Sequence, residues 1–423
     1  MSSGGCCGWR RRLPRHFALA VGFALVVAPA AAQSPADWGP ADHAIAAKFA
    51  PVFHQGMVGT RFDFITNFDF DGDWVGDNNW ANAGDPATPQ RAYVYYAVSE
   101  TPTHYFVHYA AFHPRDYKGG ELTGALLSRA ARRGAKASTR VRKTSIADDV
   151  VLAHENDLEG CLVVAEKRGA RLEDAEVVLV ETLAHNRYLK FRPDPTLTDD
   201  VGALRVEHQQ PLLYIEPKGH GMEAYADQER RSAVGDEKSA TLTGGRALPE
   251  PEKAGIVQRA AELISGLDRT RKLVNLERAE QVRVYRYTGT ADDPEKVDGD
   301  VGYALVSLLD TMWARSRSAP NETFGAAQDY GAREVIVAGG GPATRRTVRL
   351  GSIGSSFRGV QGAENMARPP WGWFDMSERN RPLGEWFFDP ATVVQRHFPA
   401  LNIETAYVHQ PFLGLIRPTG YSD

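Results

Sequence analysis

Two stretches of this 423-residue chain hold enough oxygen- and nitrogen-bearing side chains, closely enough spaced, to do chemistry together. The first, Asn67 to Trp80, reads N-F-D-F-D-G-D-W-V-G-D-N-N-W. In extended backbone Asp69, Asp71 and Asp73 share one face, and Phe68 and Phe70 the other. Carboxylates this close resist joint ionisation, so a cation is their natural counter-charge. Gly72 permits a sharp turn, and Asn67, Asp77 and Asn78 add further oxygen donors. Oxygen donors at alternate positions with Gly at the sixth resemble the first half of a calcium loop, so Ca²⁺ is the expected ion, with Mg²⁺ as the alternative. The twelfth position holds Asn78 where an EF-hand needs Glu, and no amphipathic helix flanks the segment. The same residues also read as an Asp/Gly/Asn-rich turn between strands.

The second stretch is Asp149 to Lys167, where the polar run H-E-N-D-L-E-G interrupts two apolar ones. Glu155, Asp157 and Glu159 alternate, which again places three carboxylates on one face of a strand. Acids inside an apolar strand are costly unless a cation or ligand pairs them. The zinc-protease pattern H-E-x-x-H fails, because Leu158 stands where the second His belongs. Further on, a strand over Pro211 to Ile215 leads into Lys218-Gly219-His220-Gly221. A His between two glycines at a strand end is expected to be exposed, on backbone free to adjust. It reads equally as a turn histidine with no role.

The elements that must carry these groups are mostly strands. A short helix is expected over Asp42 to Phe49. Arg91 to Ser99 and His104 to His113 form an aromatic hairpin across Thr101-Pro102-Thr103. On its second strand His104, Phe106, His108 and Phe112 share one face, and Tyr105, Val107, Tyr109 and His113 the other. Strands follow at Ala175 to Leu183, Arg187 to Phe191 and Gln281 to Thr288, with helices expected over Ala254 to Leu267 and Gly302 to Ala314. Residues 118–143 form a basic insertion, and 227–275 a charged one. Near the end, P-P-W-G-W-F-D from Pro369 and G-E-W-F-F-D-P from Gly384 set tryptophans in Gly/Pro loops, as core plugs or as platforms for sugar or lipid.

Composition narrows the function classes. Arg10, Arg11, Arg12 and Arg15 precede an apolar run from Phe17 to Val27, and Ala30-Ala31-Ala32 precedes Gln33. That is the pattern of a secretory signal over 1–32, too short to span a bilayer. Its removal takes four arginines and no acid from a formal charge of −4, leaving −8. Such a balance argues against nucleic acid as a partner. Cys161 is then the only thiol, so no internal disulfide is expected. No later run is long and apolar enough to cross a membrane as a helix. Length and the absence of repeats favour one large domain over 33–423. No nucleophile elbow, zinc ribbon or dinucleotide fingerprint is present.

The order of these pieces resembles the necrosis-inducing protein family and the related Vps62-like domains. It runs from Ala50-Pro51-Val52-Phe53 through the aromatic hairpin and a His-x-x-Asp-x-Glu cluster to a Gly-His turn, in short motifs from Phe49 to Tyr225. In those families a G-H-R-H-D-W-E or H-x-G-D-W-E segment holds a divalent cation against a membrane-facing rim. His154, Asp157, Glu159 and Gly219-His220 match it, while Leu158 replaces Trp and Asn156 replaces His or Gly. The match needs a backbone irregularity, since a regular strand sets His154 and Asp157 on opposite faces. The resemblance implies a mainly β fold, an antiparallel β-sandwich with peripheral helices and long loop insertions. It also implies a secreted, metal-binding protein for a lipid head group or glycan, with a cytolytic role. A second class is a metal-dependent hydrolase of phosphoesters or glycosides, with Asp157 or Glu159 as general base and His220 as general acid or oxyanion partner. There His154 joins the catalytic candidates, and Asn67, Asp69, Asp71, Asp73, Asp77, His154, Asp157 and Glu159 are the candidate metal ligands. A third is a secreted structural protein stabilised by its metal.

Overall fold

Strands buried on both faces organise the molecule. The computed structural model describes residues 39–117, 154–195, 201–225, 281–293, 299–318, 322–338, 342–359, 367–378 and 380–417. The expected signal segment, both insertions and the helix at Ala254 to Leu267 lie outside them. The aromatic hairpin forms as expected, from Tyr93–Glu100 and His104–Asp116, and pairs with His154–Lys167 and then Ala175–Ala184. In all four strands successive residues enter different cores. On one face lie Tyr95, Phe106, Phe112, Leu162 and Leu179, and on the other Val94, Val107, Tyr109, Val163 and Val180. A strand covered on both sides gains by being apolar or aromatic throughout, which is how these segments read.

In chain order the first ten strands are β1 (Val52–Met57), β2 (Tyr93–Glu100), β3 (His104–Asp116), β4 (His154–Lys167), β5 (Ala175–Ala184), β6 (Arg187–Arg192), β7 (Gly202–Ala203), β8 (Val206–Glu207), β9 (Gln210–Ile215) and β10 (Met222–Ala224). With β11 (Gln281–Tyr287) and β12 (Val301–Ser307) they form one twelve-stranded sheet, β10-β9-β1-β11-β12-β2-β3-β4-β5-β6-β7, with β8 on β9. The expected dominance of strands holds. The sheet is mixed, however: β1 runs parallel to β9, and β12 parallel to both β11 and β2. Residues Val301 and Tyr303 are wholly buried within it, so the start of the expected helix at Gly302 is a strand. Helical turns begin only at Leu309.

The sheet curls until its β9–β10 edge faces β4 and β5, where Thr182 Oγ1 donates to the Met222 carbonyl at 2.7 Å. Helix α1 (Gly39–Lys48) packs on that side against β2 and β12. The opposite face of β2–β5 is covered by smaller sheets and the C-terminal segments. Strands β13 (Phe324–Asp329) and β16 (Ser352–Phe357) pair there, as do β14 (Ala332–Val337), β15 (Thr344–Arg349) and β17 (Ala406–Tyr407). The tryptophans of the Gly/Pro loops are core plugs. Trp371, Trp373 and Trp386 are buried, with Trp371 Nε1 donating to the Gly354 carbonyl (2.7 Å) and Trp373 Nε1 to the Leu158 carbonyl (3.0 Å).

Trp373 lies so close to β4 that Gly160 has no room for a side chain. A Cβ there would come within 2.2 Å of the Tyr109 carbonyl oxygen and 2.4 Å of the Trp373 ring. Gly160→Ala is therefore expected to cost roughly 3 kcal/mol in denaturant unfolding, the upper range for overpacking. Gly331→Ala, at φ +65° but with open space around it, is expected to cost only about 1 kcal/mol. Equal losses would show that the Trp373 contact does not set the Gly160 requirement.

Candidate functional site

Residue His220 sits on the turn between β9 and β10, and folding that turn requires unusual backbone. Lys218 and His220 have φ of +68° and +51°, a region where a side chain is strained unless its surroundings hold it. Several bonds do so. Glu216 N–H donates to the Gly221 carbonyl at 3.0 Å, Gly219 N–H to Pro217 at 2.8 Å, and Tyr117 N–H to Lys218 at 3.2 Å. The turn thereby drives the imidazole inward. His220 is 0 % exposed, which corrects the expectation of an exposed turn histidine.

Both ring nitrogens meet carboxylates: Nδ1 lies 2.9 Å from Asp157 Oδ2, and Nε2 3.2 Å from Asp63 Oδ1. Two acceptors require two N–H donors, so the ring is an imidazolium. Burial opposes that charge, but the hydrogen bonds and charges of Asp157 and Asp63 outweigh it and raise the His220 pKa to about 9. Asp63, itself 0 % exposed, accepts from Val58 N–H (2.7 Å), Gly59 N–H (2.9 Å), Lys218 N–H (2.9 Å) and Tyr117 O–H (2.9 Å) as well. Burial pushes its pKa up. The His220 bond and charge, with the two loop N–H groups, overcome this and hold it below the ordinary value. His113 of β3 stacks on His220, with ring centres 3.7 Å apart and planes 1° from parallel, and donates from Nε2 to Gln55 Oε1 at 3.1 Å. Burial, reinforced by the charge on His220, keeps that second imidazole neutral.

Of the residues expected at the site, Asp157 and His220 meet. Asp157 lies opposite His113 in the β3–β4 register. The anticipated irregularity is present as Asn156 at φ +61°, without a register shift. Its side chain leaves the strand to donate to the Gly76 carbonyl and, at 2.9 Å, to Arg358, while accepting from Asn79 at 2.7 Å. His154 stands apart, with Nε2 3.6 Å from Asp116 Oδ2. Glu159 is partly buried opposite Ala111, and no ring nitrogen of His220 remains for it. Asp63 and His113 were not anticipated as site residues. Asp63 lies 157 residues from His220 in sequence, and its only local sign is a lone acid inside Phe62-Asp63-Phe64-Ile65.

The Asp-rich loop folds with Phe68 and Phe70 in the core, as its alternation predicts. Its carboxylates are spent on protein donors. Asp69 accepts from Asn67 Nδ2 (2.8 Å), Asp71 from Asn82 Nδ2 (2.5 Å), Asp73 from Val75 N–H (2.7 Å) and Asn78 Nδ2 (3.3 Å), and Asp77 from Arg358 Nε (3.0 Å). Among the described residues no group of three or more His, Cys, Asp or Glu side chains has the arrangement of a metal site. The donors as placed do not fit a resident hard cation. To bind one, the loop would have to release these amides, and His220 would have to give up a proton and a carboxylate.

No protein-family profile and no curated protein matches the sequence. Solved structures similar to part of the chain include the non-toxic HaNLP3 protein, at 14% identity, covering 44% of this chain and 69% of that one, with a TM-score of 0.25. NLPPya in complex with mannosamine follows at 16% identity, 44% and 68% coverage and a TM-score of 0.24. Necrosis and Ethylene inducing Protein 2, from the causal agent of cocoa's witches' broom disease, gives 15%, 43%, 67% and 0.23. These belong to the necrosis-inducing group. At such TM-scores the likeness carries no weight on the site, which rests on this chain's own residues.

The His220 charge sets the direction of a pH dependence. A folded pKa above the unfolded value near 6.5 gives stability that is complete below about pH 6.5 and lost as pH rises through about 9. The expected loss is roughly 3 kcal/mol between pH 6 and pH 10, read as the difference between the wild type and His220→Gln. A constant difference across that range would show that the ring is not charged at neutral pH. For the Asp-rich loop, chelator or added calcium is expected to leave the melting temperature unchanged. A rise of several degrees with calcium, abolished by Asp71→Asn, would show that the loop reorganises around the ion.

Proposed function

We propose that the protein binds a glycan or lipid head group and does not hydrolyse one, the His220 cluster being the internal support of its binding fold. The observation that carries this reading is that both nitrogens of His220 are bonded to carboxylates, with His220 and Asp63 fully buried and Asp157 nearly so. A general base needs a lone pair within hydrogen-bond reach of substrate, and a general acid must pass its proton to a group that can approach. His220 offers neither. Export of the chain, which residues 1–32 suggest, belongs to the same proposal, and so does a cytolytic role.

Amino sugars are the first ligands to test, because NLPPya is known in complexes with mannosamine and with glucosamine. The expected outcome is binding to amino-sugar glycans or to lipid vesicles, with no turnover of aryl glycosides or phosphodiesters above the uncatalysed rate. Asp157→Asn is expected to lower the melting temperature by several degrees, because it leaves a buried imidazolium with one carboxylate partner. Hydrolysis by the wild type that Asp157→Asn abolishes at a temperature where the variant is folded would overturn the reading.

A further inference from the structure

The sheet β15-β14-β17 ends on a strand with an open outer edge. All six residues of β15, T-R-R-T-V-R, pair with β14, and among the described residues no strand pairs with its other side. Every residue of β15 except Val348 is exposed. A strand paired on one side only points alternate N–H and C=O groups outward, and another extended chain can add to that row.

The side chains narrow what can add. Alternation sets Arg345, Thr347 and Arg349 on one face of the strand, and Arg346 and Val348 on the other. Val348 packs against the core that holds Val335, so the second face is the one toward the protein. Arg346 lies opposite Val335 in the ladder and is exposed beyond it. Arg345 meets Glu334 at 3.6 Å, but the two side chains are 78 % and 69 % exposed, and such a pair contributes little. Arg346 and Arg349 have no ion pair or hydrogen bond among the described residues. Strands β14 and β15 together carry four arginines and one acid, Glu334. Two such edges from two copies would set arginine beside arginine, which disfavours pairing of the chain with itself. An acidic strand meets the opposite condition.

We propose that β15 takes an acidic, extended segment of a partner protein as an added strand. Its carboxylates would lie beside Arg345, Arg346 and Arg349, and an aliphatic side chain beside Val348. Main-chain bonds supply affinity in this mode of recognition, and side chains at alternate positions supply the choice of partner. The proposal is independent of the glycan or lipid reading above, which places nothing on this edge.

Fluorescence anisotropy of the full chain with a labelled Glu-Val-Glu-Val-Glu-Val-Glu peptide tests it. The peptide is expected to bind, and the same peptide with Lys for Glu is not. An added strand turns only one alternate set of its amides toward the edge. N-methylation of all the Val amides and of all the Glu amides is therefore expected to act unequally, one version binding at least about tenfold more weakly and the other nearly as the parent. Arg346→Gln combined with Arg349→Gln is expected to weaken the parent peptide about tenfold and leave the melting temperature unchanged. Arg91→Gln, an exposed arginine before β2, serves as the control and is expected to change nothing. Equal affinity of the two methylated peptides, or displacement of both by a heparin oligosaccharide with the same potency, would overturn strand addition in favour of a general polyanion surface. Binding of the Lys peptide, or a double variant that binds as the wild type does, would overturn the charge assignment.

Discussion

An imidazolium enclosed between two carboxylates is the constraint on which the centre of the structure depends. Removing one charge from water costs several kcal/mol, and three are removed here. Attraction at close range repays that only when every remaining donor and acceptor is also satisfied. Asp63 accepts from four further groups, on the loops after β1 and β9 and on Tyr117 just past β3, so these segments are fixed relative to each other by the requirement to solvate one carboxylate. The left-handed backbone at Lys218 and His220 belongs to the same arrangement: the Lys218 N–H and the His220 ring both reach Asp63 only from that turn. Strain at the turn is thus balanced by charge pairing beneath it.

A second ionic network works on the same principle at the other end of the sheet. Arg417 reaches both Asp42 of α1 and Glu100 at the end of β2, Lys167 bonds Glu100 from β4, and His409 lies 3.0 Å from Asp42. Arg417 and His409 lie more than 300 residues from Asp42 and Glu100 in sequence, so the C-terminal segment is held to the first helix by charge as well as by packing. Between the two networks lies the double-faced part of the sheet, where burial on both sides carries the stability. The Lys167 ammonium is tied to the Thr101 carbonyl as well as to Glu100.

Local pattern was legible where it reports local physics. The aromatic hairpin, β5, β6, β9 and β11 all fall within a few residues of their sequence positions, because β-branched and aromatic runs bounded by turn residues suit buried strands. What failed was non-local. Nothing in Val301 to Ser307 says that it pairs parallel to two strands, and Gly302 to Ala314 reads as helix because its apolar residues fit both periods. Asp63 escaped notice because a single acid between Phe62 and Phe64 has meaning only once His220 is beside it. In the sequence, the glycines around His220 suggest freedom to be exposed. In the fold the same freedom lets the chain turn inward, and Gly221 packs with no space to spare against Ala184 and His185.

Clustered acids need positive character, and in this fold groups of the chain itself supply it. Asp157 inside an apolar strand does require a positive partner, and His220 supplies it from within the chain. Asp69, Asp71 and Asp73 lie in a turn and not in the extended backbone their alternation suggests, and each finds an amide donor there, from Asn67, Asn82 and Asn78 respectively. Carboxylate spacing alone therefore states a need for positive character without naming its source. Asparagines two to eleven residues away, or a histidine sixty-three residues away, meet that need within the chain. The asparagines also couple the two stretches, because Asn79 bonds Asn156 next to Asp157 on β4. The loop read first for its own chemistry thus serves to hold the strand that presents Asp157 to His220.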